Sequence, residues 1–141
     1  MSLDEPSSHS TKTMPLRSDD DIVRLRTEVR QRTVDLGLSL VEQTKVVTAA
    51  SELARNTLRY GGGGEAQIDI VQKGAQRGLS MRFSDTGPGI PDVALALTDG
   101  YTTGGGLGLG LSGAKRLMDE FELQTEVGVG TTVIIRKWKR S

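Results

Sequence analysis

The sequence predicts an α/β (α+β) two-layer sandwich, with a mixed, mostly antiparallel sheet and helices on one face. Two observations carry that expectation. The apolar spacing changes along the chain from helical to alternating, in the order helix, helix, hairpin, loop, helix, hairpin. The length, 141 residues, suits one compact core. Residues 1–10 are polar and aperiodic and are expected to form a disordered tail, leaving a single domain over 11–141.

Each element has a local reason. Thr11 to Arg17 reads as a short extended piece that Pro15 confines to a sheet edge. Ser18 followed by Asp19, Asp20 and Asp21 satisfies the free amides of a first turn, and Ile22, Leu25, Val29 and Leu36 recur at helical spacing up to Gly37. Ser39 with Glu42 reads as a capping box. It opens a second helix with Val46, Val47, Ala50, Leu53 and Ala54 facing inward, which stops at Gly61-Gly62-Gly63-Gly64. Ala66 to Gln72 and Leu79 to Ser84 form a hairpin, and a short helical stretch falls near Asp92 to Leu97. Leu109 to Phe121 has helical spacing, and Glu122 to Val127 and Thr131 to Trp138 alternate as two final strands.

Composition removes several chemistries. There is no cysteine, which excludes thiol enzymes and disulfide frameworks and weakly fits a cytoplasmic location. The single histidine, His9, sits in the polar N-terminal stretch, so no Ser/His/Asp or multi-histidine site can be assembled. Eighteen Lys and Arg balance eighteen Asp and Glu, giving no reason to expect nucleic acid or an anionic membrane as partner. No apolar run approaches the roughly 20 residues of a membrane span. Glycine is the excess residue, 18 of 141, and much of it is clustered.

Three segments hold the candidate chemistry. Glu52 and Asn56 stand one turn apart on one face of the second helix, a carboxylate beside an amide oxygen that could serve magnesium. Alone, such a pair is more often a solvated face. Asp85-Thr86-Gly87-Pro88-Gly89 places a carboxylate at a strand end in a stiff turn, where it can accept from a planar donor; an ordinary Asx turn is the local alternative. Gly104-Gly105-Gly106-Leu107-Gly108-Leu109-Gly110 leads into a helix, so unhindered amides and a helix N-terminus can meet phosphate oxygens. A linker would not interleave leucine. Gly108, Gly110 and Gly113 match G-x-G-x-x-G, but no strand precedes them, which argues against a dinucleotide fold, and no lysine completes a P-loop.

In this order the three segments resemble the Bergerat-fold (GHKL) ATP-binding family, which includes Hsp90, gyrase B, MutL, sensor histidine kinases and anti-sigma-factor serine kinases. Glu52 and Asn56 match its N-box, Asp85, Gly87 and Gly89 its first glycine box, and Gly106, Gly108 and Gly110 its second. The longer strings Ser51 to Asn56, Asp99 to Gly108 and Lys115 to Phe121 are similar to the RsbT-type switch kinases of bacterial stressosomes.

The resemblance implies a protein serine/threonine kinase using ATP and Mg2+. Asp85 would accept from the adenine amine and Thr131 would support the same base, favouring adenine over guanine, whose carbonyl replaces that amine. Asn56 would bind magnesium, Glu52 would take the proton of the attacking hydroxyl, and Arg59 would face phosphate. Gly87 and Gly89 would shape the base end, and Gly104, Gly105, Gly106, Gly108 and Gly110 would close over the triphosphate. An ordinary carboxylate is a weak base at neutral pH, so positioning must contribute most. No segment resembles the histidine-bearing helices of a sensor kinase, so the expected substrate is a hydroxyl on a STAS-domain partner, of stressosome scaffold or anti-sigma antagonist type. A downstream phosphatase or cyclase would receive the released kinase. An anti-sigma factor of the same fold, an ATP-regulated adaptor and an ATPase are the alternatives.

Overall fold

A computed structural model describes residues 7–98 and 110–140, with backbone alone over 7–10. The elements are β1 (Ser7–Leu16), α1 (Asp19–Asp35), α2 (Leu40–Arg59), β2 (Gly64–Lys73), β3 (Gln76–Asp85), α3 (Val93–Ala96), α4 (Gly110–Leu117), β4 (Glu120–Glu126) and β5 (Gly130–Trp138). The strands form one sheet in the order β1-β2-β3-β5-β4. Every adjacent pair is antiparallel, the sense expected for most of the sheet. The hairpins β2–β3 and β4–β5, joined by short turns, can pair only in this sense, and the longer connections bring β1 beside β2 and β5 beside β3 antiparallel as well.

Alternation along the strands builds one apolar face. Ala66 and Ile68 on β2, Leu79, Met81 and Phe83 on β3, and Val133 and Ile135 on β5 are buried, and they meet Leu25 and Val29 of α1 and Val46, Ala50, Leu53 and Ala54 of α2. Small residues on α2 let α4 pack beside it, with Leu111 and Ala114 buried.

Both long helices begin as expected, though the second cap differs in detail. Ser18 Oγ accepts from Asp21 N at 3.3 Å, and Ser39 Oγ accepts from Glu42 N at 3.2 Å. Glu42 does not reach back to complete a box. Its carboxylate instead meets Lys137 Nζ of β5 at 2.8 Å, a stronger partner than a backbone amide.

Two boundaries move. Residues 7–10, expected in the tail, belong to β1, where Ser7, Ser8 and His9 pair with Gln72, Val71 and Ile70. β1 is an edge strand, as Pro15 required. The last helix ends at Leu117 rather than Phe121. Asp119 N donates to Arg136 O at 3.0 Å and Asp119 Oδ2 accepts from Trp138 N at 2.8 Å, so the chain joins the sheet there and Phe121 pairs opposite Ile135.

Candidate functional site

A cleft of about 490 Å3 opens between the C-terminal half of α2, the ends of β3 and β5, α3 and the start of α4. That volume suits one small-molecule ligand. Glu52, Asn56 and Arg59 form its α2 wall, Asp85 and Thr131 its floor, and Gly89 and Gly110 parts of its rim. Thus the structure gathers residues from all three singled-out segments in one cavity.

Asp85 is the last residue of β3, paired between Gly64 on β2 and Thr131 on β5. Its Oδ1 accepts from Gly87 N at 2.9 Å and from Thr131 N at 3.3 Å. Two backbone donors therefore fix the carboxylate through one oxygen, and Oδ2 keeps the capacity to accept from a further donor. Gly87 is not part of the cleft wall. It stands behind Asp85, where a β-carbon would come within 2.7 Å of the Gly61 backbone.

On the opposite wall Glu52 Oε1 accepts from Arg55 Nη1 at 2.7 Å. The i, i+3 spacing on one helix brings these groups together. The second carboxylate oxygen remains for another partner. Arg59, in the exposed last turn of α2, adds positive charge on the same side.

Several wall residues carried no sequence signal of their own. Phe83, Val133 and Leu111 were readable only as core, yet their edges line the cleft beside Ile90, Leu95 and Ala96. Asp92 lies on the rim and caps α3, accepting from Leu95 N at 3.0 Å. Thr125 stands just behind Thr131, the two hydroxyl oxygens 2.9 Å apart. Gly104, Gly105, Gly106 and Gly108 lie outside the described residues.

The donor set admits magnesium. That ion takes one or two protein oxygens and completes its shell with phosphate and water, and Asn56 offers such an oxygen in the cleft. Among the described residues no group of three His, Cys, Asp or Glu side chains is arranged to hold a metal ion alone. A cation here would therefore depend on the nucleotide for its remaining ligands. Among the described residues no helix is long and apolar enough to cross a membrane.

This sheet, helix layer and cleft define an ATP-binding domain, and the chain belongs to the histidine kinase-, DNA gyrase B- and HSP90-like ATPase family, whose profile matches residues 41–141. It is 46% identical over 120 residues to the serine/threonine-protein kinase RsbT of Bacillus subtilis, covering 85% of this chain and 90% of that protein. It is also 30% identical over 119 residues to the anti-sigma F factor of Geobacillus kaustophilus, covering 79% and 80%. Among solved structures, the RsbU and RsbW domains of a Mycobacterium tuberculosis protein match with a TM-score of 0.61 at 16% identity, over 94% of this chain and 34% of that one. The Pseudomonas aeruginosa SiaB-SiaC complex matches with a TM-score of 0.54 at 16% identity, over 93% and 90%. These two likenesses concern the fold alone.

Proposed function

We propose that this protein is an ATP-dependent serine/threonine kinase of a bacterial partner-switching module. It transfers the γ-phosphoryl group of ATP to a hydroxyl of a STAS-domain partner, of stressosome scaffold or anti-sigma antagonist type. Transfer releases it to a downstream effector, a phosphatase or a cyclase, in the cytoplasm. The observation that carries this reading is one cleft with a fixed carboxylate, Asp85, at one end and the Glu52–Asn56 pair on α2 at the other. The 46% identity to a serine/threonine kinase across most of both chains supports the same reading.

Asp85 Oδ2 accepts the exocyclic amine of adenine, and Thr131 lies beside the same ring edge. Guanine would set a carbonyl oxygen against the carboxylate and be repelled. The apolar edges of Phe83, Ile90 and Val133 exclude water from the base. Asn56 contributes its amide oxygen to Mg2+, which when bound offsets the charge of the phosphates. Arg59 faces the same phosphates, and the amide of Gly110, at the start of α4, is offered to them. Glu52, held through Oε1 by Arg55, uses its other oxygen to take the proton of the incoming serine or threonine hydroxyl as that oxygen attacks the γ-phosphorus.

The anti-sigma relatives, about 30% identical, favour a second reading in which the chain also sequesters a sigma subunit. One assay separates the readings. The protein is incubated with Mg2+, γ-labelled ATP and a STAS-domain protein. The kinase reading predicts label on the partner, lowered about 10²- to 10⁴-fold by Glu52→Gln. Label appearing only as free phosphate would make the protein an ATPase. An unlabelled partner, with ATP-dependent sigma binding that survives Glu52→Gln, would make it an adaptor or anti-sigma factor.

A further inference from the structure

The turn between β4 and β5 is stitched to the loop after β3. Gly128 N donates to Pro88 O at 2.8 Å. Gly89, with φ 78°, lies so close to the β4 end that a β-carbon would stand 2.5 Å from the Glu126 carbonyl oxygen. Ile90 N donates to Thr125 Oγ1 at 2.9 Å. Thr125 is thus a side chain set in a seam made otherwise of backbone.

Its hydroxyl has two more neighbours, Thr131 Oγ1 at 2.9 Å and Gly130 O at 3.2 Å. A hydroxyl owns one proton and two lone pairs, which limits how these contacts divide. The Ile90 amide uses one lone pair. When the Thr125 proton goes to Gly130 O, Thr131 donates to Thr125 and shows the cleft lone pairs only. When the Thr125 proton turns to Thr131, the proton of Thr131 is free to enter the cleft. Rotation of one hydroxyl therefore converts Thr131 from acceptor to donor, and the Ile90 amide stays paired in both states.

We infer that Thr125, which does not itself line the cleft, is a positioning residue for the purine end. It anchors the Pro88–Ile90 wall and lets Thr131 present a proton to the acceptor ring nitrogen that adjoins the amine of adenine. The inference rests on the assignment of Asp85 and Thr131 to that base.

Thr125→Val keeps the branched shape and deletes the hydroxyl, while Thr125→Ser keeps the hydroxyl. ATP affinity is measured by calorimetry, and KM for ATP and kcat by phosphoryl transfer, with a melting curve for each variant. The valine variant is expected to weaken ATP binding and raise KM about tenfold, because the Pro88–Ile90 wall loses its anchor and shifts against the base, on the scale of one hydrogen bond lost to the ligand. Its kcat should stay within about twofold, because the phosphate end is untouched. The serine variant should bind within about threefold of the parent. If the valine variant does not fold, Thr125→Ala is read in its place.

Parent-like affinity in a folded variant lacking the hydroxyl would overturn the inference. So would an equal loss in the serine variant, or a loss confined to kcat. Failure of both the valine and alanine variants to fold would assign Thr125 to stability rather than to the base. Asp85→Asn is run alongside. Unchanged ATP binding in that variant overturns the adenine assignment itself, whereas loss there with none in Thr125→Val overturns the role of Thr125 alone.

Discussion

Gly61, just beyond the C-terminal end of α2, lies so close to Asp85 that a β-carbon there would overlap the Asp85 carboxylate. The helix that carries Glu52 and Asn56 is thereby locked against the strand end that carries the acceptor for the base. Sequence position 61 reads simply as a helix stop; its second task, clearance for a carboxylate, appears only once β3 is in place.

Gly61→Ala is expected to displace Asp85 and weaken ATP binding by roughly 1.5–3 kcal/mol, the usual value of a hydrogen bond to a charged group. Calorimetry on the folded variant reads this directly. Binding as tight as that of the parent would mean the carboxylate can shift at no cost.

Ser112 in α4 is 3% exposed, and its hydroxyl has no hydrogen-bond partner among the described residues. Burying a lone hydroxyl is unfavourable. Ser112→Ala should therefore stabilise the fold by about 1 kcal/mol, or raise the melting temperature by roughly 3 °C. A lower melting temperature would show that the hydroxyl is satisfied in solution.

Acid should loosen the clasp between α2 and β5. The Lys137 ammonium, hydrogen-bonded to Glu42, holds that carboxyl below its ordinary value of 4.5, against a smaller opposing effect of burial. Arg32 first and Lys12 second do the same for Glu28. A carboxyl whose pKa is depressed by folding stabilises the native state above its unfolded pKa. That stabilisation is lost as pH falls through the folded value, so denaturant midpoints should fall below about pH 4.5.

Lys137→Met should lower stability at pH 7 by about 1–3 kcal/mol, since Glu42 is partly solvated. It should also flatten the acid limb. A variant with the same acid slope would place the pH dependence elsewhere.

Much of this architecture was readable from local signals. Ser18 and Ser39 marked both helix starts, and the alternation in β2, β3 and β5 gave their inward faces. Asp85 stood out as a carboxylate at a strand end before Thr86-Gly87-Pro88-Gly89, but the same residues suit an ordinary Asx turn, so its proposed role toward the base came from the family resemblance and not from the local pattern. What failed was decided by distant partners. Helical spacing through Phe121 lost to the bonds of Asp119 with β5, and the polar residues 7–10 gained order only from the free edge of β2. Thr125 left a trace that spacing alone did not interpret: it is the third inward position after Phe121 and Leu123, where another apolar residue would be usual. Its three partners lie on Ile90, Gly130 and Thr131, so its task could be seen only with the sheet assembled.

The claim that Asp85 grips the base of ATP is tested most directly by calorimetric titration of ATP with Mg2+ into the parent protein and into Asp85→Asn. The account predicts saturable one-to-one binding by the parent, with binding weakened about tenfold to a hundredfold or more in the variant. No heat of binding from well-folded parent protein, or equal affinity in the two, would contradict it.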